Sequence, residues 1–256
     1  IAEAAIKSGG YCCELDSHKR LFINEGTDGI LDLGLWLNGI HDIYTYRKPL
    51  RDKRERRLMD LLDIPGVSGN EQLVGNHLLT ILENRLDKIW VDEVGNVLGE
   101  LSIPGGRSNG PALLLSAHMD VKDSSGEGEE ILKEGNVLRR ARGILGADDR
   151  AGIAAIINTI DMLKQYRIAC HLKVAFTVLE EVGMRGAGQI DKSFFEDVDF
   201  AVSLDRRGET DIVVRSGGIE YCPETEAGFI SSLSEQLWRN EAFHYKAVEG
   251  GKSDLI

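Results

Sequence analysis

Three short apolar runs, residues 112–116, 174–179 and 200–204, each lead straight into a turn carrying histidine or carboxylates, and a long helical stripe stands between the first two. That alternation constrains the fold more than any other feature. A run such as Ala112-Leu113-Leu114-Leu115-Ser116 has no polar alternation, so it reads as a strand buried on both faces. Residues 151–163 place Ile153, Ile156, Ile157, Ile160 and Leu163 on one side of a helix. Earlier in the chain, residues 64–71 form a turn with capping residues, and Leu73, His77, Leu78 and Ile81 recur at helical spacing after it. Further strands are expected over residues 88–92 and 97–103, a loop over 105–110 and a helix over 231–238. Buried strands alternating with helices imply an α/β fold, a mixed and mostly parallel sheet with helices on both faces.

The first 50 residues follow no such pattern. Leu21-Phe22-Ile23-Asn24, a turn at residues 25–29 and the apolar stretch 30–37 suggest strands. Arg47, Lys48, Arg51, Lys53, Arg54, Arg56 and Arg57 then form a basic run that flows into Leu58, Leu61 and Leu62, read as a solvated helix face or linker, with a partner-docking patch as the alternative. The expected division is an extension of unassigned role over residues 1–50 and one large domain over 51–256.

Composition narrows the class of function. The 256 residues carry a net charge of −12, which repels a phosphate backbone, so no nucleic-acid partner is expected. No apolar run reaches the length of a membrane span, and no membrane partner is expected. Four cysteines, Cys12 and Cys13 adjacent and none in a C-x-x-C pair, form neither a disulfide framework nor a zinc ribbon. A reducing compartment follows, with the cytoplasm as the expected location.

Ligands in such a fold gather at the carboxyl ends of strands. There the sequence places Ala117-His118-Met119-Asp120, Glu180-Glu181 and Asp205, with Asp148-Asp149 just ahead of the strong helix. Each alone is ordinary: an acidic pair before a helix is a cap, and His-x-Asp is hydrogen-bonded structure. Together, one imidazole and several carboxylates without a thiolate suit zinc, cobalt or manganese. Asp120 can reach the second nitrogen of His118 and fix its tautomer. Glu180 and Glu181 point different ways, so one can bind a metal while the other holds a water.

The ordered set Ser116-Ala117-His118-Met119-Asp120, Leu145-Gly146-Ala147-Asp148-Asp149-Arg150-Ala151-Gly152, Glu180-Glu181-Val182-Gly183-Met184-Arg185-Gly186-Ala187 and Ser203-Leu204-Asp205 resembles the co-catalytic dinuclear zinc exopeptidases, and among them the peptidase-T-like aminopeptidases. The Glu-Glu-Val-Gly-x-Arg-Gly-Ala stretch is also similar to the glutamyl aminopeptidase branch. That branch inserts a second domain between the histidine and the bridging aspartate, and the 30 positions from His118 to Asp148 leave no room for one. The peptidase-T-like order fits, although its lid or dimerisation domain, which follows the aspartate matched by Asp205, has no room here and is expected to be absent or missing.

The resemblance implies that Asp148 bridges two zinc ions, that His118 and Asp205 complete one site and that Glu181 belongs to the other. It makes Glu180 the general base and acid, makes Asp120 the residue orienting His118, and implies a cis peptide between Asp148 and Asp149. The family's last histidine lies beyond a Gly-Gly-x-Asp segment, matched by Gly250-Gly251-Lys252-Ser253-Asp254. The domain is therefore expected to be incomplete at its C-terminus, with that ligand past Ile256 and the second metal held weakly. His244 precedes the segment and reads as packed or exposed, as do His18, His41 and His171. The implied activity is metal-dependent hydrolysis of short peptides at a free amino terminus, by an enzyme able to form homo-oligomers. The alternatives are a deacylase or carboxypeptidase-type amidohydrolase with the same centre, and a catalytically silent interaction module.

Overall fold

Alternating side chains of three central strands divide between two apolar layers, and this division organises the molecule. In the computed structural model, residues 13–15, 21–23, 43–104, 112–206, 211–216, 219–220 and 246–249 are described. In chain order the elements are β1 (Cys13–Leu15), β2 (Leu21–Ile23), α1 (Ile43–Leu62), α2 (Gln72–Leu82), β3 (Lys88–Val91), β4 (Val97–Ile103), β5 (Ala112–His118), β6 (Ile131–Glu134), β7 (Val137–Arg140), α3 (Ala147–Tyr166), β8 (Cys170–Thr177), β9 (Phe200–Ser203), β10 (Asp211–Ser216), β11 (Ile219–Glu220) and β12 (Lys246–Glu249). The chain divides into two compact units, residues 1–57 and 58–256. In the first, β1 pairs antiparallel with β2.

The second unit is built on a five-stranded sheet in the order β3-β4-β8-β5-β9. The sheet is mixed: β8-β5 and β5-β9 are parallel, while β3-β4 and β4-β8 are antiparallel. Its parallel half carries the strand ends that bear the histidine and carboxylates. Val97 and Leu101 of β4, Leu113, Leu115 and Ala117 of β5, and Leu172, Val174 and Phe176 of β8 face one layer, where Leu78 and Leu82 of α2 and Ile153, Ile156, Ile157 and Ile160 of α3 cover them. Leu98, Leu114 and Ala175 face the other layer, under Ile190 and Phe194. That face is covered by two 3-10 turns, Ala187–Gln189 and Lys192–Phe195, while α2, α3 and Leu61 at the end of α1 belong to the core on the first. Period-two alternation on the strands and the helical stripe on α3 thus meet in one core.

The expected strands at 97–103 and 112–116 are present, the latter two residues longer. β8 begins at Cys170 and ends at Thr177, earlier at both ends than the apolar run suggested; His171 and Lys173 interrupt its hydrophobic pattern and hide its start. The β6-β7 hairpin gave no apolar signal; it is anchored through Arg140, whose guanidinium bonds Asp63 Oδ1 at 3.0 Å and the carbonyls of Leu62 and Glu129. The basic run lies in α1, with the side chains of residues 52–54 exposed. Expectations for residues 25–29, 30–37, 105–110 and 231–238, for His18, His41 and His244, and for the Gly250–Asp254 match lie outside the described residues. A further small sheet, β11-β10-β12, follows the main one. No described helix is long and apolar enough to cross a membrane.

Candidate metal centre

β5 ends on His118, whose ring is 1% exposed, because a parallel strand between two neighbours buries its last side chain at the sheet's rim. Its Nδ1 lies 3.0 Å from the backbone oxygen of Asp120 and 3.3 Å from Asp120 Oδ1. The ring is thus held from one side, and Nε2 is turned to the other. There it meets Asp148 Oδ1 at 3.1 Å and Asp205 Oδ1 at 3.9 Å. One ligand atom each from His118, Asp149 and Asp205 lies within 4.8 Å of the other two. Three chain segments far apart in sequence converge here: the end of β5, the residues just past β9, and the first turn of α3.

Asp120 is fully buried and gathers the remaining loops. Its Oδ1 accepts the amide of Glu180 at 3.0 Å, and its Oδ2 accepts the amide of Glu181 at 3.1 Å and the hydroxyl of Ser68 at 2.7 Å. Glu71, also buried, accepts the amides of Gly69 and Leu179 on its Oε1, at 2.9 and 3.1 Å. Three successive amides, Leu179 to Glu181, are therefore docked on two carboxylates. This fixes the loop after β8 although it has left the sheet.

The bond between Asp148 and Asp149 is cis, as the resemblance implied. Both residues have non-helical backbone angles inside the first turn of α3. Asp149 is a candidate site residue that the sequence did not single out, since an acidic pair ahead of a helix reads as a cap. Its Oδ1 does cap, accepting the amide of Gly152 at 3.0 Å, but the carboxylate is buried and its Oδ2 has no hydrogen-bond partner. Gly152 makes this possible, because a Cβ there would collide with both carboxylate oxygens. The signal was present as the glycine three residues beyond the aspartate.

The electrostatics show what the cluster lacks. Burial works against a charged imidazole at His118, but the hydrogen bonds it donates to Asp120 and Asp148 outweigh it and raise the group to about 11. Burial, with the Asp205 and Asp148 charges adding to it against the His118 charge, raises Asp149 to about 8. For Asp120, burial is overcome by the His118, Ser68 and Glu180 bonds, and the group falls to about 2. Hydrogen bonding from His118 lowers Asp148, while burial and the nearby Asp148 charge raise Glu181. His118, Asp149 and Glu181 are all shifted toward their protonated forms, as expected where carboxylates outnumber cations. An orphaned Asp149 oxygen, one imidazole nitrogen and hard carboxylate oxygens are a donor set that fits a divalent ion of the zinc type.

Of the residues expected at the site, His118, Asp120, Asp148 and Asp205 come together in space, and the amides of Glu180 and Glu181 are tied to Asp120. His171 bonds Ser102 Oγ at 2.9 Å, away from this cluster.

Residues 131–213 match the family model of the M42 glutamyl aminopeptidases. Peptidase T of Clostridium acetobutylicum is 32% identical over 183 residues, covering 57% of this chain and 44% of that protein. The aminopeptidase PepT from Bacillus cereus ATCC 10987 superposes with a TM-score of 0.58 at 23% identity, covering 64% of this chain and 46% of that one. The Pyrococcus horikoshii TET1 peptidase, which can assemble into a tetrahedron or a large octahedral shell, gives 0.53 at 18% identity, covering 78% and 86%. The chain spans less than half the length of the curated relatives it matches.

Proposed function

We propose that this chain, related to the peptidase-T-like exopeptidases, is the metal-binding part of an aminopeptidase that hydrolyses short peptides from a free amino terminus. The observation that carries the proposal is the convergence of His118 Nε2 with the carboxylates of Asp148, Asp149 and Asp205 at the rim of the parallel strands. His118, Asp148 and Asp205, with Glu181 toward a second ion, would hold zinc, or cobalt or manganese in its place, and the metal would supply the Lewis acidity that acidifies water and polarises the scissile carbonyl.

The chain's own groups perform the remaining work. Glu180 accepts the proton of the attacking water and returns it to the departing amine, and its docked amide fixes the backbone from which the side chain extends. Asp120 holds the Nδ1 side of His118, so that Nε2 is presented to the cluster. Asp149 adds a buried negative charge that balances a bound cation.

The test is a panel of short peptides with free and acetylated amino termini, assayed after loading with zinc, cobalt or manganese. Cleavage confined to the free peptides is expected. Glu180→Ala should lower turnover by about 10²–10⁴-fold while leaving metal content unchanged. A loaded protein that spares every free peptide, or an unimpaired Glu180→Ala variant, would refute the proposal.

A further inference from the structure

Arg150 is a cation with no part in the proposed reaction, and its side chain is among the largest in the described protein to be fully buried, at 1% exposure. One terminal nitrogen, Nη2, donates to the Ile64 carbonyl at 3.3 Å, while Nη1 has no hydrogen-bond partner among the described residues. Gly66 leaves the room the guanidinium occupies, since a Cβ there would lie 2.6 Å from Nη2. An unshared N–H on a buried charge is costly, and an apolar side chain of similar volume would pack at least as well. The cation therefore needs compensating charge. Burial acts against it, and the carboxylates that act in its favour are Asp120 first and Glu71 second. Both are themselves buried, at 0% and 5% exposure. Asp120 Oδ1 and Oδ2 and Glu71 Oε1 are taken by the Ser68 hydroxyl and by the amides of Gly69, Leu179, Glu180 and Glu181, and Arg150 acts on them through its field.

We infer that Arg150 is a positioning residue whose positive charge keeps Asp120 and Glu71 together beneath the loop that carries Glu180. The reaction it serves rests on the peptidase reading above, and the role of Arg150 goes beyond it. The loop needs such support. Leu179 stands at φ +59°, a left-handed conformation that a branched side chain seldom adopts and that persists where its surroundings over-determine it. Those surroundings are the bonds from the Leu179, Glu180 and Glu181 amides to the two carboxylates. Buried carboxylates that hold adjacent amides repel each other, and a buried cation acting on both offsets the repulsion. Without it they turn toward water and release the amides.

Three variants test this. Arg150→Met removes the charge and keeps an unbranched side chain, Arg150→Lys keeps the charge, and Arg150→Met with Glu71→Gln removes one charge of each sign while glutamine still offers Oε1 to the same amides. Amide hydrogen exchange of the metal-free protein is measured, beside zinc content and turnover of a free tripeptide after zinc loading. In Arg150→Met the amides of Leu179, Glu180 and Glu181 should exchange about 10-fold or more faster, with the amides of β5 and β8 within about threefold. Its kcat should fall about 10–100-fold at an unchanged KM and zinc content. Arg150→Lys and the double variant should each recover most of both losses. Should Arg150→Met not fold, the double variant decides: folded with the three amides protected it sustains the proposal, and unfolded it overturns it. Exchange that rises evenly across the sheet, or a lysine variant no better than the methionine one, would reduce Arg150 to a packing residue and overturn the proposal. Loosened amides in Arg150→Met, in a protein that cleaves no peptide even with Arg150 in place, would sustain the positioning role and sink the peptidase reading. Cleavage by the original chain with exchange unmoved in Arg150→Met would do the reverse.

Discussion

Asp149 looks like a helix cap in the sequence and proves to be a buried carboxylate with one oxygen bonded and one orphaned. Its consequence is a pH dependence with a definite sign. His118 is raised to about 11, so its contribution to stability is complete below its ordinary 6.5 and is lost as pH rises toward 11. Asp149, raised to about 8, acts in the same direction, its contribution fading from about 3.8 upward. Asp120, lowered to about 2, opposes only in acid, where its contribution is lost between about 3.8 and 2. The chelator-treated protein should therefore be less stable at pH 9 than at pH 5, as read by thermal or urea unfolding. Zinc should reverse the order, because the cation takes the place of the protons that His118 and Asp149 otherwise hold. A metal-free protein whose stability rises between pH 5 and pH 9 would contradict this electrostatic reading of the centre.

The turn between β3 and β4 shows the same logic among elements. Asn96 is fully buried; its Nδ2 donates to the Gly186 carbonyl at 3.0 Å and its Oδ1 accepts the Val178 amide at 3.0 Å, so one side chain ties this turn to the loop that carries Glu180. Asn96→Ala strands the buried Val178 amide, while the Gly186 carbonyl keeps the Gln189 amide at 3.0 Å, and should cost about 1–3 kcal/mol, measured by urea titration with an unchanged m value. Gly186 sits in the same packing, since a Cβ would strike the Val178 carbonyl and Asn96 Oδ1. Gly152→Ala should cost zinc affinity more than fold, because it displaces the Asp149 carboxylate from the first turn of α3. Titration calorimetry with circular dichroism separates the two effects. α3 and β5 were legible in the sequence, since each carries its full apolar period. The start of β8 and the β6-β7 hairpin were not, because Lys173 and Arg140 are polar residues buried by specific partners, and pattern alone does not reveal a partner.

At the scale of the molecule, the candidate ligands that converge describe one metal position more completely than two: Asp148, Asp149 and Asp205 all gather about His118, and Glu181 is not among them. The chain is expected to take up close to one equivalent of zinc tightly and a second only weakly, which elemental analysis across a chelator series will check. Two tight equivalents would require a ligand beyond this set. The sequence by itself determined the class of fold, the order of the motifs and the strand ends that carry His118, Asp120 and Asp205, because apolar periodicity and the residues that interrupt it are local properties of the chain. Only the tertiary structure decided that Asp149 joins them, that α2 and α3 cover the same sheet face and that Asp120 and Glu71 pin three successive amides. Those outcomes depend on which distant groups meet in a low-dielectric interior, and the chain's order does not specify that distance.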